Sequence, residues 1–460
     1  MSDTLTLRAE ISALIARRDF AALKKKIEPW LPVDLAPIVA DMPLEELAML
    51  FRHSSREVAA AAFGYLAVDA QRKLLRQLTQ EQAAALLNAL PPDDRTAFLD
   101  ELPLDVAMQM LALLSPEERK VAQSLLAYPE NSVGRMMTLD FVTARPEWTV
   151  GETLAHVREN GADRETLNMV YVVDESGRLL DDVRMRRVLL SPLEKRMSEL
   201  FDGSCPTLPA TDDRETALEM FRKYDRVGLP VVDEFGKIIG IVTVDDMLDV
   251  AAEEATEDIQ KLGGSEALDE PYTTIPLLKM VRKRASWLVI LFLGEMLTAT
   301  AMSYFEDEIA KAVVLALFVP LVISSGGNAG SQAATLVIRA LALGEFTLSQ
   351  WWRVMRRELM AGLALGVILG AVGFLRIAVW SQFSDIYGPH WLLVATTVGS
   401  ALVGVVLWGS LIGSMLPLLL KRLGFDPATS SAPFVATLVD VTGLVIYFGL
   451  GYLLLRGTLL

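Results

Sequence analysis

One carboxylate, Asp440, stands inside a stretch otherwise suited to a bilayer interior: SSAPFVATLVDVTGLVIYFGLGYLLL, Ser430 to Leu455. The stretch is long enough to cross as a helix, which takes about 20 residues. A carboxylate at mid-membrane costs about 2.5–3.5 kcal/mol, so it is retained where it meets water, an ion or a partner group. Two readings stand. Asp440 is protonated or paired inside a helix bundle, or it marks a cation site beside a wet path. A second apolar stretch carries Pro320 and then Ser324-Ser325-Gly326-Gly327-Asn328-Ala329-Gly330-Ser331-Gln332. Glycines there either let helices pack closely or break the helix, freeing carbonyls to line a cavity. The run is read here as a break. Asp440, this amide-rich run, Thr335 and Thr437 offer oxygen only. Such a donor set suits Mg²⁺, Ca²⁺ or Mn²⁺ over Zn²⁺ or Cu²⁺.

A second group of acids precedes the apolar region. DDMLDVAAEEATEDIQKLGG carries Asp245, Asp246, Asp249, Glu253, Glu254, Glu257 and Asp258. Spacings of three and four set Asp246, Asp249, Glu253 or Glu254, and Glu257 along one side of a helix. Like charges there repel by roughly 0.2–0.5 kcal/mol per pair. A partner surface, Mg²⁺ or Ca²⁺ would offset that repulsion, and a solvated acidic helix is the alternative.

The elements that must position these groups follow from composition and pattern. The 460 residues exceed what one core organises, and their 52% hydrophobic content averages two unlike parts. Residues 1–284 are charged and read as soluble, whereas 285–460 are mostly apolar. The net charge of −15 argues against nucleic acid and against lying on anionic lipid. A single cysteine, Cys205, excludes an intrachain disulfide, and three scattered histidines show no ligand spacing. No P-loop is present, which argues against ATP hydrolysis. The N-terminus lacks the apolar core of a signal peptide, so the charged part is expected in the cytoplasm.

From Leu31 to about Leu126, Leu-Pro and related pairs recur about every 12 residues or twice that, each followed by acids, as in PPDDRTAFL and SPEERKVAQ. Proline and acids start helices. The pattern predicts short helices stacked as a small solenoid of either hand, with a plain bundle as the alternative. Residues 136–255 read as a duplicated strand–helix–strand–turn–strand–helix unit, with VVDESG at 172–177 repeated as VVDEFG at 231–236. Gly263-Gly264 ends the acidic helix, and LLKMVRKRASW starts a basic one. Five apolar stretches follow: 286–304, 310–343, 359–380, 391–420 and 432–455. Bases flank alternate ends, at Lys279 to Arg284, Arg339 to Arg357, and Lys421-Arg422, while YFEDEIAK and the loop at 384–390 are poor in base. The positive-inside rule then puts the N-terminus in the cytoplasm and the C-terminus outside.

LPVVDEFGKIIGIVTVDDML resembles the second half of a tandem pair of CBS domains. In that family a turn like Gly240, Thr243 and Asp246 holds the ribose and phosphate of an adenine nucleotide. The resemblance thus implies a possible ATP site at Thr243 and Asp246. The first copy departs from it, with Asp181, Arg184 and Arg187 at the aligned places. Over the whole chain, PLVISSGGNAGSQAATLVIRALALGE, KRLGFDPATSSAPFVATLVDVTGLVIYF and EEATEDIQKLGG resemble the MgtE family of magnesium channels.

That resemblance implies a multidomain fold: an all-α helical-repeat N-domain at 1–130, and an α+β tandem CBS pair at 131–255, its copies at about 136–197 and 198–255. A linking, plug-like helix at 256–284 and a polytopic α-helical membrane domain of five spans at 285–460 complete it. It implies a homodimer in the lipid bilayer of the inner membrane, with one pore on the two-fold axis, and no enzyme activity. The pore residues it implies are Asp440 as the selecting carboxylate, Asn328, Ser331, Gln332 and Thr335, with a carbonyl from Ala436. Some members carry Asn at the places of Ser331 and Ala432. It further implies a cytosolic Mg²⁺ sensor that closes the pore, at Asp213, Glu215, Asp246, Asp249, Glu254, Glu257 and Asp426; Asp93 and Asp94 are candidates from the helical arm. A dication entering at about −100 mV gains about 4.6 kcal/mol, so passive uptake suffices. The alternatives are a divalent cation exchanger for Mg²⁺, Mn²⁺ or Co²⁺, and a nucleotide-sensing CBS membrane protein without transport.

Overall fold

Prolines and acids in first turns set the rhythm of the N-terminal region. Pro92–Asp100 starts with Pro92, Asp93 and Asp94, and Pro116–Leu126 with Pro116, Glu117 and Glu118 behind a Ser115 cap. Thr79 and Gln82 form a reciprocal capping box at Gln80–Leu87. The computed structural model describes residues 2–40, 42–162, 164–268, 272–273, 275–306, 313–456 and 458. Parts of the linker before Pro276 and of the YFEDEIAK turn lie outside them. Two units result, Met1–Ala252 and Glu253–Leu460.

In the first unit, helices of 8 to 15 residues run from Ser2 to Leu126. Each tends to pack on the helix two along, as in a solenoid. Phe63, Leu74, Leu87 and Phe98 fill the core. The sheets follow in duplicate. Strands β1 (Thr143–Ala144), β2 (Met169–Val173) and β3 (Leu179–Arg184) form one, and β4 (Leu208–Pro209), β5 (Gly228–Val232) and β6 (Ile238–Thr243) the other. In each, the first pair is parallel and the second antiparallel, with the register shifting at matching points, Val172/Val173 and Val231/Val232. Asp174 and Asp233 each accept two backbone N–H bonds across turns closed by Gly177 (φ 85°) and Gly236 (φ 75°). The two hairpins join through Leu179 N to Gly236 O and Ile238 N to Gly177 O, at 3.0 and 3.3 Å.

In the second unit, five segments among the described residues are long and apolar enough to cross a membrane: Leu277–Tyr304, Val313–Ala342, Leu348–Trp380, Trp391–Arg422 and Ala432–Leu455. They are the first to fifth spans below. The fourth span is central and packs on the second, third and fifth. The first lies largely uncovered, touching the fifth where Trp287 Nε1 donates to Ser431 Oγ at 3.2 Å.

The glycine run does not break its helix, contrary to the sequence reading: Val319–Ala342 is unbroken through Gly326, Gly327 and Gly330. The discontinuity lies earlier, between Val313–Ala316 and Val319, with Pro320 in the first turn. The Leu315 carbonyl at this discontinuity accepts from Tyr447 Oη at 2.7 Å. The physical reason is close packing. A Cβ on Gly330 would sit 2.9 Å from the Gly409 carbonyl oxygen, and one on Gly326 would collide with Val405. The third span repeats the device at Gly362, Gly366, Gly370 and Gly373 against the fourth. Without a hydrophobic drive between helices in lipid, such small-residue seams carry association.

Gly330→Val is therefore expected to cost about 1–3 kcal/mol or more through overpacking against backbone that cannot retreat. Gly449→Ala, whose Cβ meets nothing within 4 Å, is expected to be tolerated. Thermal loss of monodispersity in detergent, followed by size exclusion, separates the two.

Candidate functional site

The unbroken glycine-rich helix sorts its residues by face. Gly326, Ala329, Gly330, Ala333, Ala334 and Val337 are buried, whereas Ser324, Asn328, Gln332 and Thr335 are exposed. Spacings of four, four and three stack those four polar groups into one stripe. Beside the stripe lies the seam with the fifth span. A Cβ on Gly327 would stand 3.4 Å from Ala436 Cβ and 3.5 Å from Asp440 Oδ1. Ser331 Oγ donates to the Ala432 carbonyl at 3.0 Å.

Asp440 is thus half-buried on the seam between the second and fifth spans, beside Gly327 and next to the helix face that carries Asn328. Thr335 and Thr437 bond back to carbonyls of their own helices, at 2.9 and 3.0 Å. Ala436 sits within the continuous helix Ala432–Leu455, where carbonyls are committed to the i+4 amide. A second intramembrane carboxylate, Glu295, is exposed on the first span and close enough for its charge to act on Asp440. Sequence reading passed over it, although an acid in the apolar run LVILFLGEMLTA was itself a signal.

In the first unit, acids from three places meet. Asp93 and Asp94 start the helix Pro92–Asp100, Glu165 follows the helix Val150–Asn160, and Asp245, Asp246 and Asp249 lie on Val244–Leu262. Burial, then the charges of Asp246, Asp94 and Glu165, holds the Asp93 carboxyl well above the usual carboxylate range. Its Oδ1 is buried without a hydrogen-bond partner. Burial, with Asp245 and Asp94 adding repulsion, pushes Asp246 up to about 6. Asp94 and Glu165 are raised for the same reasons, burial first. Buried oxygens in excess of positive charge are what a hard dication binds. Spacing along one helix found Asp246 and Asp249; Glu165 carried no signal in the sequence.

The other expected regulatory residues fall elsewhere. Asp213 caps the helix Arg214–Tyr224, accepting from Glu215 N at 2.9 Å, which is the geometry of a helix start. In the second unit, Glu257 and Asp426 share Lys261, at 2.5 and 2.7 Å. Burial works against this ammonium, but the two carboxylates outweigh it and raise its pKa. Asp258 stands beside them, its carboxyl raised by burial and by Asp426, with Glu254 adding repulsion. An ammonium here bridges two carboxylates that the family resemblance assigned to a Mg²⁺ sensor.

The Thr243 hydroxyl is buried and donates to Asp246 Oδ2 at 2.7 Å, so this pair is tied to itself and to the acid group. A cavity of about 310 Å³ lies instead on the first repeat, lined by Arg184, Arg186 and Arg187 among others.

A family profile described as a divalent cation transporter, MgtE, matches residues 319–450, and one described as the MgtE intracellular N domain matches 30–131. CBS domain profiles match 133–193 and 197–253. The chain is 40% identical over 338 residues to "Magnesium transporter MgtE" of Thermus thermophilus, covering 74% of this chain and 73% of that protein. It is 33% identical over 336 residues to the protein of the same description from Enterococcus faecalis, with 73% and 71% covered. Its fold also matches the crystal structure of the cytosolic domain of the Mg²⁺ channel MgtE in complex with ATP. That match has a TM-score of 0.50 and 30% identity, covering 53% of this chain and 99% of that one.

The raised carboxyls make stability depend on pH. Asp93 and Asp246 bind their protons more tightly folded than unfolded, so their contribution is full below about pH 4 and lost as pH rises through about 6, the value at Asp246. Without divalent ions, the melting temperature of the N-terminal unit within the full chain is expected to fall between pH 4 and 7. Millimolar Mg²⁺ should restore it at pH 7 and do little at pH 4, and Asp246→Asn should flatten the profile.

Proposed function

We propose, since this chain belongs to the MgtE family of divalent cation transporters, that it passes Mg²⁺ into the cell down the membrane potential, with Asp440 selecting the ion. The observation that carries this reading is the polar stripe Ser324, Asn328, Gln332 and Thr335, uncovered beside Asp440 in an apolar bundle. Polar groups facing lipid are costly, whereas groups lining water are not. A second copy placed about a two-fold axis would cover the polar stripe and pair two Asp440 carboxylates across the axis. Mg²⁺ dehydrates reluctantly and keeps several waters, so two carboxylates would hold it through its hydration shell. That grip is selective yet weak enough to release. The bases at Arg353, Arg356, Arg357, Lys421 and Arg422 support a cytoplasmic N-terminus and an external C-terminus.

Closure is proposed to follow from cytosolic Mg²⁺ bound by the acids: Asp93, Asp94, Asp246 and Asp249 in one unit, Glu254, Glu257 and Asp426 in the other, with Asp213 and Glu215 at the margin. Their all-oxygen donor set and the orphaned Asp93 Oδ1 suit that ion. Removing Mg²⁺ leaves like charges to repel, which favours the state in which they are apart. A modulating adenine nucleotide is a second reading. ATP in the related cytosolic domain and three arginines around the first-repeat cavity favour it, since guanidinium groups clamp phosphates.

Uptake of Mg²⁺ by cells lacking other magnesium systems tests the site. Asp440→Ala is expected to lower uptake at least tenfold with normal membrane expression, and parental uptake would overturn the assignment. In proteoliposomes, current without a counter-ion gradient is expected; uptake only with a proton or Na⁺ gradient would favour an exchanger. Neutralising Asp246, Asp249, Glu254 and Glu257 together should raise the Mg²⁺ needed for closure severalfold. An unchanged closing concentration would remove them from the sensor.

A further inference from the structure

We propose that Asp181, Asp182 and Cys205 form a binding site for a thiolate-accepting divalent ion of the zinc class, between the two CBS repeats and apart from the Mg²⁺ path. Asp181 and Asp182 lie on β3 of the first repeat and are 1% and 2% exposed. Cys205, half-buried, approaches from the start of the second repeat. One oxygen from each carboxylate and the Cys205 sulfur all lie within 4.8 Å of one another. Bonds of about 2.0–2.3 Å at tetrahedral angles would set these atoms about 3.5 Å apart, so the widest pair would have to close by at most about 1.3 Å.

Two further groups point to a ligand. Asp182 Oδ2 and the phenol oxygen of Tyr171, both buried, have no hydrogen-bond partner among the described residues. The Tyr171 phenol lies within electrostatic reach of both Asp182 and Cys205. Buried polar atoms without partners are rare and mark an ion, a water or strain.

The surroundings are built to hold the carboxylates. Asp181 accepts from the backbone N–H groups of Asp182, Asp202 and Gly203, at 2.8, 3.1 and 3.4 Å. Asp182 accepts from Arg226 at 3.1 Å, and Arg226 also donates to the Ser204 carbonyl at 2.9 Å. Outer contacts of this kind orient metal ligands. Two carboxylates and a thiolate against one guanidinium leave two negative charges, which a dication balances. Sulfur selects against Mg²⁺, which takes oxygen, and for borderline or soft ions.

Cys205 is the chain's one cysteine, so any thiolate signal is its own. The full chain in detergent, stripped by chelator, is titrated with Cd²⁺ as probe while thiolate-to-metal charge-transfer absorption is followed. One Cd²⁺ per chain is expected to saturate the band, with Zn²⁺ competing and millimolar Mg²⁺ without effect. Cys205→Ser should abolish the band, and Asp182→Asn should weaken binding at least tenfold while leaving the circular dichroism unchanged. If Asp182→Asn fails to fold, Asp181→Asn must show the same weakening. No band in the folded parent, or undiminished affinity in the folded Asp variant, would reduce the cluster to a solitary thiol and overturn the proposal. Because Asp440 plays no part, these outcomes are independent of whether the chain transports Mg²⁺.

Discussion

Carboxylates in this chain are gathered where positive charge is scarce, and that imbalance holds several of them above the usual carboxylate range. Around Asp93 and Asp246, acids from the helical arm and from both CBS repeats are brought close enough to raise each other's proton affinity. Bringing ionised carboxylates together in partial burial is unfavourable, so the assembled arrangement depends on protons or cations to neutralise them. Lys261 supplies that neutralisation for Glu257 and Asp426 within the second unit. Among the described residues, the buried Asp93 oxygen has no hydrogen-bond partner, cationic or otherwise. One acid group is bridged by an ammonium, and the other keeps a buried oxygen without a hydrogen-bond partner among the described residues.

In the membrane part the constraint is steric rather than electrostatic. Glycines at 326, 330, 409 and 413 let the second and fourth spans approach until backbone meets backbone. A second glycine row brings the third span against the fourth. The centre of the bundle therefore belongs to small residues, and the polar residues of the second span are turned to its outside. This is why the stripe from Ser324 to Thr335 and the Asp440 edge remain uncovered in one chain. Close packing on one side and a polar stripe on the other are consequences of one helix having two faces, one small and one polar.

Much of this was legible from residue order alone. Asp440 stands out because a charge in an apolar run is expensive wherever the helix goes. The five spans follow from length and hydropathy, the CBS duplication from VVDESG and VVDEFG, and the short helices of the arm from proline and acids in first turns. Each of these signals is local, or repeats at a fixed interval, and needs no knowledge of what lies opposite.

Only the tertiary structure decided what lies opposite. The run from Ser324 to Gln332 contains both a helix breaker's composition and a packing seam's, and Gly409 on another span, 79 positions beyond Gly330 in the chain, settles it for the seam. Asp93, Glu165 and Asp246 become one group because three segments far apart in the sequence meet within the first unit. Lys261 takes Asp426 because a loop after the fourth span returns to it. Asp181, Asp182 and Cys205 converge across two repeats. In every instance the sequence named the chemical group, whereas burial and the distance to a partner far along the chain determined its charge, its bonds and its use.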